Sequence, residues 1–207
     1  MGIRIISNIK KLEFKMFYLK EVKMNIAKAR AFLRIFSAFN MSRQELKQVY
    51  KHTKLIKINP GEQLSFTHQK EDDKILFVIY GILNGFFIPE ENERINIWLG
   101  HFGSIIKPAD IKEIIPEVFV IEAIEYAEVL EISQKKLEEI GFYFPYILKH
   151  MIEHIYLKMM QDANNRNTLF RMCNHTLRFN YFREIYPGLD EKLPKDLLEA
   201  YIRPSTL

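Results

Sequence analysis

A single cysteine, Cys173, stands in the 207 residues. It excludes an internal disulfide, and alone it cannot hold an iron–sulfur cluster or a thiolate zinc site. A reducing cytoplasm is the compartment this predicts, with Cys173 read as a small core residue. Long hydrophobic runs are also lacking. None approaches the roughly 20 residues that span a bilayer, and Lys10, Lys11, Glu13 and Lys15 interrupt the one candidate near the start, so no membrane partner is expected. Gly-x-Ser-x-Gly, a phosphate-binding glycine loop and paired cysteines are all missing. The sequence therefore predicts neither an enzyme nor a cofactor.

Acidic residues are scarce at one end only. Residues 1–58 hold 14 Lys and Arg against 3 Asp and Glu, residues 59–145 hold 7 against 16, and residues 146–207 hold 9 against 7. A net charge of +4 hides this contrast. A basic lead-in can contact nucleic acid or another anionic surface, although a solvated helical face is the preferred account. The acidic middle is a poor host for a phosphate. Hydrophobic residues at 48% and charged residues at 27% indicate a globular chain with one sizeable core and a small second unit.

What is present is organised around Ile75–Phe87, an apolar run interrupted by Gly81. Such a run suits a strand buried on both faces that bends or crosses at the glycine, and it is read as the central strand pair of a β-roll. Before it, Ile26, Ala29, Phe32, Leu33 and Phe36 recur at helical spacing, and Ser42-Arg43-Gln44-Glu45 is a capping-box pattern opening a helix to about His52. Leu55–Ile58 is a short strand, and Asn59-Pro60-Gly61-Glu62 places Pro and Gly as a type II turn requires. His68–Lys74 reads as a polar loop and Pro89–Glu93 as a charged turn. Ile95, Ile97 and Leu99 alternate with Arg94, Asn96 and Trp98, and Val118–Ile124 and Glu128–Ile132 close a set of about eight strands.

Helices return after Glu131. Ser133 is placed to cap a short one that ends at Gly141, and Pro145 to begin a long one. On the long helix Leu148, Ile152, Ile155 and Met159 recur at steps of four, three and four, a seam for a homodimer or a stripe packed on the β-roll. Leu169–Tyr186 reads as one further helix and Pro194–Ile202 as a short last one. His150 and His154, with Glu153 between them, have metal-ligand spacing but are read as a solvated face, so no metal is expected.

This order of elements resembles the Crp/Fnr family of bacterial transcription regulators. Ile58-Asn59-Pro60-Gly61-Glu62 resembles the family's strand, turn and Gly-Glu, and Phe77-Val78-Ile79-Tyr80-Gly81-Ile82-Leu83 its Phe-Ile-x-x-Gly-x-x strand. Near the other end, Arg178-Phe179, Tyr186-Pro187-Gly188-Leu189, Leu193-Pro194 and Leu197-Leu198-Glu199-Ala200-Tyr201-Ile202 resemble the pattern of one branch. The resemblance covers residues 25–207. It implies an α+β fold: a double-stranded β-helix (jelly roll) sensor domain flanked by helices, a long dimerisation helix, and a partial C-terminal winged-helix or helix-turn-helix unit. It divides the chain into a basic extension (1–23, with Met24 an alternative start), a cyclic nucleotide-binding-like domain (24–144), a dimerisation helix (145–165) and an incomplete DNA-binding domain (166–207).

Two departures qualify what the resemblance implies. Cyclic AMP-binding members open their phosphate cassette with Gly-Glu and close it with Pro-Arg-x-Ala, whereas Gly103-Ser104 and Pro116-Glu117-Val118-Phe119 stand here. A carboxylate at Glu117 repels the phosphate that an arginine neutralises, which predicts a degenerate effector pocket at Gly103, Ser104, Pro116, Glu117 and Val118, with any other small-molecule effector unidentified. At the end, Arg203-Pro204 matches the turn of a helix-turn-helix, and only Pro204–Leu207 of a recognition helix follows. The natural chain either extends past Leu207 or lacks its reading helix. DNA contacts are expected from Lys195, Arg203, Ser205 and Thr206, weak in this form, and a β-roll ligand-binding or protein-interaction module that does not bind DNA is the alternative.

Overall fold

Local chemistry sets the first turns of the protein, whose computed structural model describes residues 26–37, 39, 41–66, 73–89, 94–112 and 118–203. Helix α1 (Ile26–Phe36) buries Ala29, Ala31, Phe32 and Phe36 along one face. Helix α2 (Arg43–His52) opens with the expected capping box: the Glu45 amide donates to Ser42 Oγ at 3.4 Å and the Ser42 amide donates to the Glu45 carboxylate. It stops where Thr53 turns extended and its hydroxyl donates to the Tyr50 carbonyl at 2.9 Å.

Eight strands follow: β1 (Thr53–Ile58), β2 (Gln63–Phe66), β3 (Lys74–Tyr80), β4 (Leu83–Phe87), β5 (Ile95–Gly100), β6 (Ile105–Ile106), β7 (Phe119–Ala123) and β8 (Ala127–Ser133), with a short helix α3 (Pro108–Lys112) before β7. They form two antiparallel four-stranded sheets, ordered β1-β8-β3-β6 and β2-β7-β4-β5. Six connections therefore change sheet, as a jelly roll requires. At the first, Gly61 takes φ +78°, and its amide donates to the Ala123 carbonyl at 2.7 Å. At the third, Gly81 takes φ +88°, and Ile124 donates to Ile82 across the adjoining corner at 2.9 Å.

Between the sheets lie Ile58, Phe66, Leu76, Val78, Leu83, Trp98, Ile106, Phe119, Ile121 and Val129. The outer face of the first sheet offers Ile75, Phe77, Ile79, Leu130 and Ile132 to α1, α2, helix α4 (Gln134–Tyr143) and helix α5 (Pro145–Arg171). The outer face of the second meets the end of α5, helix α6 (His175–Ile185) and helix α7 (Lys195–Ile202) through Ile82 and Leu99. Strand β3 is thus buried on both sides, which is why its sequence runs apolar without alternation. Each such side chain contributes about 1.5–3 kcal/mol by leaving water.

Several expectations need correction. Ile75–Phe87 crosses at Gly81 as read, but its halves do not pair: β3 lies between β8 and β6, and β4 between β7 and β5 of the other sheet. Trp98, placed with Arg94 and Asn96 on the polar side, is buried between the sheets. The register shift between Gly85 and Phe86, where β4 pairs with β5, resets the alternation. Ser133 makes no side-chain cap bond, and Gly141 is buried inside α4, which continues to Tyr143. Leu169–Tyr186 is not one helix. Leu169 belongs to the last turn of α5, the chain breaks at Met172–Asn174, and Asn174 then caps α6 by accepting from the Leu177 amide at 3.0 Å. The extension 1–23 with Met24, most of the His68–Lys74 loop and most of the Pro89–Glu93 turn lie outside the described residues.

A Cβ added at Gly81 would collide with the Tyr126 carbonyl oxygen and lie 2.7 Å from Ala127 Cα, whereas one at Gly61 meets nothing within 4 Å. Gly81→Ala is therefore expected to cost about 3 kcal/mol or more, and Gly61→Ala about 1 kcal/mol from its positive φ alone. Urea denaturation of the two variants checks this, and equal costs would contradict the crossing assigned to Gly81.

Candidate functional site

The turn His101–Ser104 joins β5 to β6 and carries two of the expected pocket residues. Gly103 takes φ +84°, and its amide donates to the Val78 carbonyl at 3.0 Å, while Val78 donates back to Ser104 at 2.9 Å. Ser104 is buried. Its Oγ accepts from the His101 amide at 3.1 Å and lies 3.0 Å from His101 Nδ1. One lone pair is so engaged, and the hydroxyl donates to Nδ1 when the neutral imidazole carries its proton on Nε2. Ser104 closes its own turn, leaving that hydroxyl committed to His101. Val118 is exposed at the mouth of β7; Pro116 and Glu117 lie outside the described residues.

The clustered side chains between the sheets are apolar. Phe66 and Phe119 stack at 6.2 Å between centroids, and Trp98 lies so close over Gly100 that a Cβ there would meet the indole. Gly85 likewise leaves room for Phe119, whose Cζ would be 2.8 Å from an added Cβ. Aromatic bulk therefore fills the interior beside these glycines.

On α5 the expected seam divides. Ile155 is 2% exposed and belongs, with Met151, to the core against the first sheet, and Met159 packs onto that core. Ile152 lines a narrow gap with Ile155, Met159 and Leu137. The structure thus gives this stripe the intramolecular role, because the β-roll needs a cover over Ile75, Phe77 and Ile79; the side chain of Leu148 is outside the described residues. The opposite side of α5 is open and mixed, with Tyr146 79%, Leu157 67% and Met160 60% exposed beside the exposed Lys149, His150 and Glu153. His150 sits 3.8 Å from Glu153, and the His154 ring stands edge-on to Phe39 at 4.9 Å. Among the described residues no three His, Cys, Asp or Glu gather as a metal site.

The C-terminal helices hold two buried polar residues that spacing did not single out. Arg178 donates through Nε to the Tyr201 carbonyl at 2.8 Å and lies 5.1 Å from the Phe170 ring centre, while its Nη1 has no partner among the described residues. Tyr201 donates to Asn84 Oδ1 at 3.1 Å, and Asn84 donates to Asn96 at 2.7 Å. Burial pushes the Tyr201 phenol well above its ordinary pKa and that of Tyr186 up to about 12. Lys195 and Arg203 are exposed at the two ends of α7; Ser205 and Thr206 lie outside the described residues. Cys173, expected in the core, is exposed in the break before α6.

No family model matches the sequence, and neither does any curated protein. Solved structures do match the fold. A transcriptional regulator assigned to the Crp/Fnr family from Eubacterium rectale aligns at TM-score 0.56 with 12% identity, covering 80% of this chain and 78% of that one. The chain has a Crp/Fnr-like fold. FixK2 from Bradyrhizobium japonicum aligns at TM-score 0.54 with 10% identity over 73% of this chain and 78% of its own, and OCPA-complexed CprK at 0.52 with 14% identity over 77% of both. At these identities the likeness is one of backbone, a cyclic nucleotide-binding-like β-roll with helices on either side. Among the described residues no helix of the Crp/Fnr-like chain is long and apolar enough to cross a membrane.

His101 lies 5.6 Å, edge-on, from Tyr186, so its turn also touches the C-terminal helices. Burial lowers its pKa, Asp162 raises it in part, and Lys158 lowers it further. A histidine kept neutral in the fold contributes stability present above its unfolded value, about 6.5, and lost as pH falls from there toward the lowered folded value. His52, lowered by partial burial and then by Lys51 and Lys136, acts in the same direction. Replacing His101→Gln should therefore shrink, without abolishing, the fall in Tm between about pH 7.5 and about pH 5.5. An unchanged fall would show that His101 is not held neutral.

Proposed function

We propose that the chain is a dimeric, cytoplasmic, DNA-binding transcription regulator of Crp/Fnr type whose effector pocket does not take cyclic AMP. The observation that carries this reading is the order of parts: a β-roll, a 27-residue helix running from it, and two short helices ending at exposed Arg203. The pocket side of the reading rests on chemistry. A cyclic phosphate needs a cation and amide donors, while the clustered residues inside the roll are apolar, Ser104 is engaged by His101, and the sequence puts Glu117 where the family's arginine is expected. Calorimetry with cyclic AMP and cyclic GMP is expected to give no saturable heat at micromolar ligand, and saturable binding would overturn the pocket assignment.

The open side of α5 supports the dimer. Tyr146, Leu157 and Met160 share a face about four turns long, opposite the buried Ile155 and interrupted by Lys149, His150 and Glu153. A two-fold pairing of these helices would cover it. Leu157→Asp with Met160→Asp should yield a folded monomer in sedimentation at tens of micromolar, whereas Ile155→Asp should unfold the chain. A monomeric parent protein would remove the pairing from the reading.

For DNA, the exposed Lys192, Lys195 and Arg203 supply phosphate contacts, which give non-specific affinity, whereas base edges are read by side chains of a recognition helix. Five residues, 203–207, follow α7 in the sequence given. Gel-shift titration is expected to show weak binding that falls steeply with salt and differs little between duplexes. Tight, salt-resistant, sequence-selective binding would place the reading element elsewhere in the chain.

A further inference from the structure

Helices α2 and α4 both rest on the core over the first sheet, through Val49 and Tyr50 on one and Leu137 and Ile140 on the other. Above that shared base they part, and the groove between them has a volume of about 360 Å³. Pockets that hold small ligands begin at about 300 Å³. The gap that Ile152 and Met159 line under α5 has only about 30 Å³, the share of a single water.

One wall of the groove is polar by helical spacing. Gln44, Gln48 and His52 stand four apart on α2 and so form one row along it. Among the described residues neither carboxamide is engaged in a hydrogen bond. The other wall is apolar. Ile140 is buried, Phe144 packs on the core beside it, and the exposed Tyr143 ring stands edge-on to Phe142 at 5.4 Å.

Charge concentrates at the His52 end. Burial lowers the His52 pKa, Lys51 and Lys136 lower it further, Glu139 raises it in part, and Lys28 of α1 lowers it again. Three cations against one anion make this end electropositive, while the imidazole itself stays neutral. Lys136 and Glu139 pair at 2.7 Å with nearly half of each side chain in water, and an exposed pair of this kind is weak enough for the lysine to turn to another anion. Glu139 lies in the same lining, which favours a single negative charge over the two of a phosphate.

We propose that this groove binds a small monocarboxylate with a flat apolar body, its carboxylate held by Lys136, His52 and the Gln48 amide and its body set against Ile140, Tyr143 and Phe144. A carboxylate beside His52 favours the imidazolium, so binding takes up a proton and tightens as pH falls. The groove lies outside the roll and away from α7, so the proposal makes no use of the cyclic nucleotide pocket or of DNA, and it can fail without the function proposed above.

Calorimetric titration of the full chain with 2-naphthoate tests it. Saturable binding of one ligand per chain is expected, tightening between about pH 7.5 and about pH 6, with proton uptake read from the buffer dependence of the heat. His52→Gln should remove that pH dependence. Gln48→Glu should weaken binding by about ten-fold or more and Lys136→Gln by about two- to five-fold, and 2-naphthamide, the same body without the charge, should bind about ten-fold or more weakly. None of these three side chains is buried, so the variants should fold; amide NMR shifts in the parent protein, expected to move in α2 and α4, locate the site without any substitution. Absence of saturable binding, equal binding of 2-naphthamide, indifference to Gln48→Glu, or shifts confined to the strands would each overturn the site.

Discussion

Strand β3 has no solvent face, and most of the architecture follows from that constraint. With Leu76 and Val78 turned into the roll and Ile75, Phe77 and Ile79 turned outward, an isolated β-roll would leave large apolar groups in water. A helical cover over the first sheet is therefore obligatory, and α1, α2, α4 and α5 supply it. The stripe of α5 that contains Ile155 and Met159 is drawn inward by this demand, and the opposite stripe, with Leu157 and Met160, is left for whatever lies outside the fold. One requirement thus fixes both the rotation of the long helix and the character of its free face.

The second sheet shows what happens when the requirement is weaker. Its outer face carries Asn84, Asn96, Glu122 and Leu99, a mixture that water can wet. Arg94 bonds Glu122 at 2.7 Å and lies 4.5 Å from the Phe86 ring centre, so part of this face meets solvent through charged groups. The C-terminal helices rest on it through few apolar contacts and one polar chain.

Closure of the roll interior has a similar logic. Glycines at 85 and 100 leave space into which Phe119 and Trp98 grow, converting a volume between sheets into core. Dispersion contacts of these aromatics fill the space beside the two glycines. The His101–Ser104 turn then becomes a structural corner whose polar groups satisfy one another.

Short-range features were legible from the sequence alone. The capping box at Ser42 and Glu45, the turn at Pro60-Gly61, the crossing at Gly81, the eight-strand count and the helix–roll–helix order depend on interactions within a few residues or on a run's own composition, and the resemblance to Crp/Fnr regulators rested on those pieces in order. Where a residue meets partners far along the chain, spacing was silent or misleading. The halves of Ile75–Phe87 were assigned to one pair because an apolar run does not say which sheet its end joins; that depends on the hydrogen bonds of β8 and β7. Ile152, Ile155 and Met159 make the same helical stripe whether they face a partner or the roll, and only the packing of Phe77 and Ile79 selects the roll. Asn84 and Tyr201 lie 117 positions apart, and nothing local marks them as partners. Sequence determined the elements and their punctuation; tertiary structure decided which faces meet, because burial is a property of pairs of surfaces and not of any one stretch.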